Sequence, residues 1–163
     1  MTADKPDRSA TRRGFLLGAA KVAGGAGLLT ILPRREARAT PDLLNAALRK
    51  VAGDAPLRKG KVRLDLPAMV ENGNTVSVEV SVESPMTAAD HVKAIHLFNE
   101  KNPQPNVVSV QLGPRAGRAT LSTRMRLATT QQVIAVAEMS DGTFWSNDAE
   151  IFVALAACQE DPG

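Results

Sequence analysis

The sequence predicts an all-β protein, an immunoglobulin-like antiparallel β-sandwich of about seven strands with one short N-terminal helix. From Lys61 onward apolar and polar residues alternate, which is the period of a strand with one buried face. Turn residues interrupt this alternation about every dozen positions, and no helical periodicity falls between the runs. A β-barrel fits the same pattern almost as well.

The strand runs form one predicted domain over residues 61–155, with residues 67–74 as a connection and turn. In the clearest run, residues 75–83, every second residue is a valine, so the four valines share a face. In the run 118–127 the predicted inward residues are Ala119, Leu121, Thr123, Met125 and Leu127. The predicted strands are 61–66, 75–83, 91–98, 107–112, 118–127, 132–140 and 149–155.

A short amphipathic helix and a linker are predicted over residues 40–60. Thr40 can cap the helix, Pro41 suits its first position and Gly53 can end it. A helix of about 11 residues is marginal alone in water, so its apolar face must dock on the domain. That face consists of Leu43, Leu44, Ala47, Leu48 and Val51.

Residues 1–39 have the layout of a cleaved twin-arginine export signal, which predicts a periplasmic protein. Arg12 and Arg13 form the arginine pair, a Gly/Ala/Leu-rich run extends to Leu32, and residues 37–39 form a small-x-small cleavage site. A retained membrane anchor is less favoured, because Lys21 and four glycines interrupt the apolar run.

The basic character of the whole chain belongs to this leader. The whole chain has 20 basic and 17 acidic residues, a net charge of +3. The leader holds eight of the basic and three of the acidic residues. Residues 40–163 therefore have 12 basic and 14 acidic residues, a net charge of −2. A net charge of −2 without the leader gives no reason to expect binding to nucleic acid or to an anionic membrane.

The residues that could support catalysis or metal binding do not form a recognisable pattern. His91 and His96 are the only histidines, and an odd spacing of five on one strand places them on opposite faces. The sequence has no phosphate-binding glycine loop and no nucleophile elbow. Trp145 fits core or interface packing. We therefore expect no catalytic residue, no metal site and no cofactor, and a non-catalytic protein.

Two features are candidates for contact with other molecules. Arg118, Arg124 and Arg126 share the outward face of one predicted strand, as a docking stripe for an acidic partner or as a solvated face. Cys158, the only cysteine, lies in a polar segment after the last strand pattern ends at Leu155. A single thiol in an oxidising compartment is unusual. From chemistry alone, a covalent carrier thiol and a spare thiol are equally plausible.

Several segments resemble the SoxY family, the carrier subunit of periplasmic sulfur oxidation. They are SPMT (84–87), VKAIHLF (92–98), EKNP (100–103), STRMRLA (122–128) and VAEMSDGTFW (136–145). The resemblance implies a heterodimer with a SoxZ-like subunit that has no signal of its own. It also implies a swinging arm, residues 156–163, whose Cys158 bears sulfur intermediates such as those of thiosulfate while sulfur-processing and redox enzymes act on them.

The arm departs from the family pattern, in which glycine pairs flank the cysteine. Here Ala156 and Ala157 precede Cys158, and Gln159 and Glu160 follow it. These residues make the arm stiffer and thicker than glycines would, and the acidic residues disfavour the thiolate. The pattern is similar to that of a SoxY-related offshoot with an Ala-Ala-Cys-x-Glu arm.

The alternative function is a binding or assembly module that acts through the sandwich surface and its partner, with a cargo other than thiosulfate.

Overall fold

The computed structural model describes residues 41–155. The predicted export signal with Arg12 and Arg13 lies outside the described residues. The same holds for the predicted arm, with Ala156, Ala157, Cys158, Gln159 and Glu160. No helix among residues 41–155 is long and apolar enough to cross a membrane.

The described part of the chain begins with a helix, α1 (Pro41–Ala52), as the sequence predicts. Its apolar face packs against Phe98 and Val136, which belong to two neighbouring strands of the larger sheet. Leu44 is buried. Leu43 was expected on the docked face, but it is 44% exposed and lies outside that face. Gly53 ends the helix with a positive φ of 60°, and its N–H donates to the carbonyl of Arg49 at 2.8 Å.

Nine strands within residues 41–155 form two sheets, so the sandwich is confirmed over the barrel. The larger sheet has the order β1-β9-β8-β5-β6, with β3 also paired to β9, and the smaller sheet has the order β2-β4-β7. The strands are β1 (Leu57–Lys59), β2 (Val62–Asp65), β3 (Met69–Asn72), β4 (Val76–Val82), β5 (Val92–Asn99), β6 (Asn106–Gln111), β7 (Ala119–Met125), β8 (Gln131–Met139) and β9 (Phe144–Leu155).

The smaller sheet has one buried and one exposed face. All four valines of β4 are buried, as its strict alternation predicts. On β7, Ala119 and Met125 are buried while Ser122 and Arg124 are exposed, which confirms the predicted faces.

The two central strands of the larger sheet, β5 and β8, are buried on both faces. Ile95 and Ala135 contribute to the main core between the sheets. Phe98 and Val136 lie in a second cluster beneath α1. This double burial explains why both strands are rich in apolar residues at successive positions.

Two strands, β1 and β3, lie where the sequence analysis predicted linker and turn. Both pair with β9 in parallel: Leu57 is level with Phe144, and Met69 is level with Phe152. Strand β9 also begins at Phe144, five residues earlier than expected. Such short edge strands depend on their pairing with β9, and a local pattern of three or four residues does not reveal that pairing.

Candidate functional site

The end of β9 is the part of the described structure that leads to Cys158, and both sheets hold it. The carbonyl of Leu155 accepts a hydrogen bond from the N–H of Gly73 at 3.0 Å. The carbonyl of Gly73 in turn accepts one from the N–H of Leu127 at 2.9 Å, just after β7 of the smaller sheet. The last residue of the strand is therefore linked through one residue to the opposite sheet.

Two residues shortly before the end of β9, Phe152 and Val153, also form hydrogen bonds outside β9, on opposite sides of the strand. The N–H of Phe152 donates to the carbonyl of Ala68 at 2.9 Å. The N–H of Val153 donates to the side-chain hydroxyl of Thr130 at 3.0 Å, beyond the last β8–β9 pair, Gln131 with Ile151. The hydroxyl of Thr130 thus replaces a strand partner where β8 has ended.

Covalent geometry limits the position of the thiol relative to this fixed end. Cys158 is the third residue after Leu155, so three Cα–Cα steps join the two residues. At 3.3–3.6 Å per extended residue, the two Cα atoms can be at most about 11 Å apart. Chemistry at Cys158 must therefore take place close to the end of β9.

Neither histidine lies near that end. His96 of β5 is level with Val136 of β8, which is level with Ser146 of β9. Nine residues at about 3.3 Å each place Ser146 about 30 Å from Leu155. His91 precedes β5 and lies further away along the sheet, since Ser140 N–H donates to its carbonyl at 2.8 Å. Neither imidazole is placed to act as a base for Cys158.

Each histidine has its own structural contacts. Nδ1 of His91 lies 3.1 Å from the carbonyl oxygen of Thr87, and Nδ1 of His96 lies 2.8 Å from Oγ of Ser109. Burial lowers the pKa of His96 below its ordinary value, and the nearby charge of Glu138 opposes this shift.

Among residues 41–155 no three His, Cys, Asp or Glu residues are grouped so that they could hold a metal ion.

The three predicted outward arginines are exposed, but their surface carries charges of both signs. Arg124 lines a shallow groove on the smaller sheet together with Asp65 and Glu79. The hydroxyl of Ser122 donates to Glu79 at 3.1 Å within the same groove. This mixture of charges favours a solvated face over a docking stripe for an acidic partner.

Trp145 is part of the structure of the sandwich. Its ring packs against the main core, and its indole N–H donates to the hydroxyl of Thr143 at 3.1 Å. The cationic groups of Arg58 and Lys61 lie 5.9 and 5.2 Å from the ring centroid.

Hydrogen bonds from Thr143 hold the pKa of Asp141 below its ordinary value, and Lys61 and Arg58 act in the same direction.

The end of β9 is surrounded by an apolar surface that was not predicted from the sequence. Met69, Phe152 and Leu155 are 67%, 54% and 66% exposed. A signal was present in the run Ile151-Phe152-Val153, because three successive apolar residues cannot all face one core in a strand. Met69 could not be recognised, because its strand was not predicted.

The sheet order and a last strand that leads directly to the only cysteine define an immunoglobulin-like β-sandwich with a thiol just beyond its final strand. The model of the family described as sulfur oxidation protein SoxY matches residues 48–158, which is more than half of the chain and includes Cys158. The chain therefore belongs to the SoxY family, and the resemblance seen in the sequence is confirmed.

Solved structures show the same fold. The sulfur carrier protein SoxY from Chlorobium limicola f thiosulfatophilum is 26% identical with a TM-score of 0.59, and the match covers 69% of this chain and 92% of that one. A superoxide reductase (neelaredoxin) from Ignicoccus hospitalis is 20% identical with a TM-score of 0.52, covering 58% and 80%. A putative superoxide reductase from Thermotoga maritima is 19% identical with a TM-score of 0.51, covering 60% and 93%. The two reductases are similar in fold alone. No curated protein matches this chain.

Proposed function

We propose that this protein is a periplasmic carrier subunit that binds a small sulfur-containing group covalently on Cys158 and presents it to partner enzymes. The observation that carries the proposal is the family match through Cys158, the only cysteine, three residues beyond the fixed end of β9. The related protein from Chlorobium limicola is a sulfur carrier protein, which supports the same function here.

A thiol at this position suits a carrier better than a catalyst. Both histidines lie too far from the end of β9 to activate Cys158, and in this proposal the reacting groups come from another protein. If the cargo joins through an S–S bond, the Cys158 thiol loses a proton and the two joining sulfur atoms give up two electrons. A partner redox enzyme must accept these electrons, and a second partner must cleave the cargo from the thiol.

The residues around the thiol indicate that the cargo or its enzymes differ from those of thiosulfate oxidation. Ala156, Ala157, Gln159 and Glu160 occupy positions where small, pliable residues would enter a narrow channel most easily. Negative charge at Glu160 and Asp161 opposes an anionic cargo beside them. We propose an enzyme channel that accepts a broader arm and offsets this charge with basic groups.

Export and partnership belong to the same proposal. A twin-arginine signal with Arg12 and Arg13 would carry the folded protein to the periplasm, where cleavage before Thr40 would release it. A SoxZ-like subunit without a signal would cross with it as a heterodimer. The carrier has no cofactor of its own in this proposal.

Replacement of the chromosomal gene in the native host by a Cys158→Ser variant tests the function. We expect oxidation of the host's sulfur substrates to be lost, while the variant still reaches the periplasm and still co-purifies with its SoxZ-like subunit. If sulfur oxidation continues at the rate of the unmodified strain, the thiol is dispensable. That result would support an assembly module in place of a carrier.

A further inference from the structure

Three exposed apolar side chains surround the point where β9 ends, and we call Met69, Phe152 and Leu155 the root patch. At least half of each side chain is accessible to solvent. Only one other large apolar side chain among residues 41–155 is comparably exposed, Leu43 on α1. Exposed large apolar residues gathered at one place commonly mark an interaction surface.

Strand pairing brings the members of the patch together. Met69 of β3 and Phe152 of β9 are register partners in parallel strands, so their side chains are neighbours on the outward face of the larger sheet. Leu155 alternates toward the other face but lies beyond the end of the core, which leaves it exposed. The patch thus extends from the outward face around the end of β9.

The short connection to the thiol determines what must cover this patch. Cys158 can be at most about 11 Å from Leu155, measured between Cα atoms. A protein that encloses the thiol in its active site is far larger than this distance, so its surface around the active-site entrance must lie against the end of β9. Burial of the root patch would then stabilise the complex.

The charges beside the patch indicate the chemistry of that entrance. Glu150 lies two residues before Phe152 on the outward face of β9. Glu71 lies on β3, between residues 70 and 72, which pair with β9. Glu71 and Glu150 are both exposed. Glu160 and Asp161 add two acidic groups a few residues beyond Leu155. An entrance with an apolar collar and a basic rim complements this arrangement.

We propose that the root patch is the docking surface for the enzymes that load and unload Cys158, through an apolar collar with a basic rim around their active-site entrance. The proposal rests on the carrier function proposed above. It places recognition on the folded body as well as on the arm, so an enzyme can select this carrier even though the arm residues differ from the family pattern.

The test compares Met69→Glu and Phe152→Glu with two matched controls. Phe152→Leu keeps the position apolar, and Leu43→Glu places the same charge on an exposed apolar site of α1. This helix packs over Phe98 and Val136. Val136 is the register partner of Ser146 on β9, and Ser146 lies about 30 Å from Leu155 along that strand. Each protein is freed of adducts with reductant, desalted and incubated with periplasmic extract from a native-host strain that lacks its own copy of the gene. Intact mass spectrometry follows the initial rate at which Cys158 gains an adduct.

We expect each glutamate variant at the patch to load at least about tenfold more slowly, since a charge must be buried against an apolar collar. Phe152→Leu and Leu43→Glu should load at the rate of the unmodified protein. Alkylation of Cys158 by iodoacetamide should be equally fast in all five proteins, because a small reagent needs no docking surface. Higher salt should slow loading of the unmodified protein.

Equal loading rates in the patch variants and the controls would refute the proposal. Loss of the SoxZ-like subunit in the patch variants, or a change of their oligomeric state, would also refute it, because the patch would then be a subunit interface. If the unmodified protein never gains an adduct, the carrier function itself fails, which this design separates from failure of the docking proposal alone.

Discussion

Thr130 offers the sharpest test of how the end of β9 is held. Its hydroxyl accepts the hydrogen bond from the N–H of Val153 at 3.0 Å, where no β8 residue remains to do so. A Thr130→Val substitution keeps the branched shape of the side chain and removes the acceptor. Val153 is 7% exposed, so its N–H would be left without a partner in a largely buried position.

The size of the effect follows from the cost of an unsatisfied buried donor. That cost is about 1–3 kcal/mol, which corresponds to roughly a fivefold to 150-fold change in an opening equilibrium. We expect hydrogen exchange at the amide of Val153 to accelerate by this factor, while exchange in β4 of the smaller sheet changes only with global stability.

Thr129→Val is the matched control. Thr129 is exposed, and among the described residues only its backbone carbonyl forms a hydrogen bond, to the side chain of Gln131. The assay is amide exchange followed by NMR or by mass spectrometry of peptides that contain Val153. If both variants exchange alike at Val153, the hydroxyl of Thr130 does not hold the strand end.

Two further variants test the body of the protein. Phe98→Ala should lower the free energy of unfolding by about 3–5 kcal/mol in urea titrations, because Phe98 is fully buried beneath α1, and Leu43→Ala on the exposed side of α1 should change it little. Burial lowers the pKa of His96, so the unfolded chain binds more protons than the folded one between that lowered pKa and about 6.5. Stability should therefore fall as pH drops below about 6.5, and His96→Gln should remove this part of the slope; an unchanged slope would show that another group causes it.

The strands that could be predicted are those whose faces meet different surroundings. Strand β4 alternates strictly because one face meets the core and the other meets solvent, so its bounds were nearly correct. Strands β5 and β8 were found from their apolar content, although the helix that buries their second face had to be seen to explain Phe98 and Val136. The short strands β1 and β3 were missed because they form only by pairing with β9.

Backbone conformations set by the core were also beyond the sequence. Met86 has a φ of 50°, in the left-handed region that a long side chain rarely adopts. Its side chain is buried in the main core, and its N–H donates to the hydroxyl of Ser84 at 3.2 Å. Packing and a local hydrogen bond thus offset the strain at a position that the sequence places only between two predicted strands.

The candidate site was predictable in part. The position of Cys158 beyond the last strand follows from the end of the apolar pattern at Leu155. The hydrogen bonds through Gly73 and Thr130 were not predictable, because they join residues far apart in the chain. The root patch depends in the same way on the pairing of β3 with β9.

The mass of the segment that carries Cys158, taken from protein purified from the native host during sulfur oxidation, tests the central claim most directly. Trypsin leaves residues 127–163 as one peptide, since this stretch contains no lysine or arginine. We predict a mass increase on Cys158 that reductant removes, on a protein whose first residue is Thr40. A peptide with only the bare thiol, under every condition in which the host oxidises sulfur compounds, would contradict the carrier function.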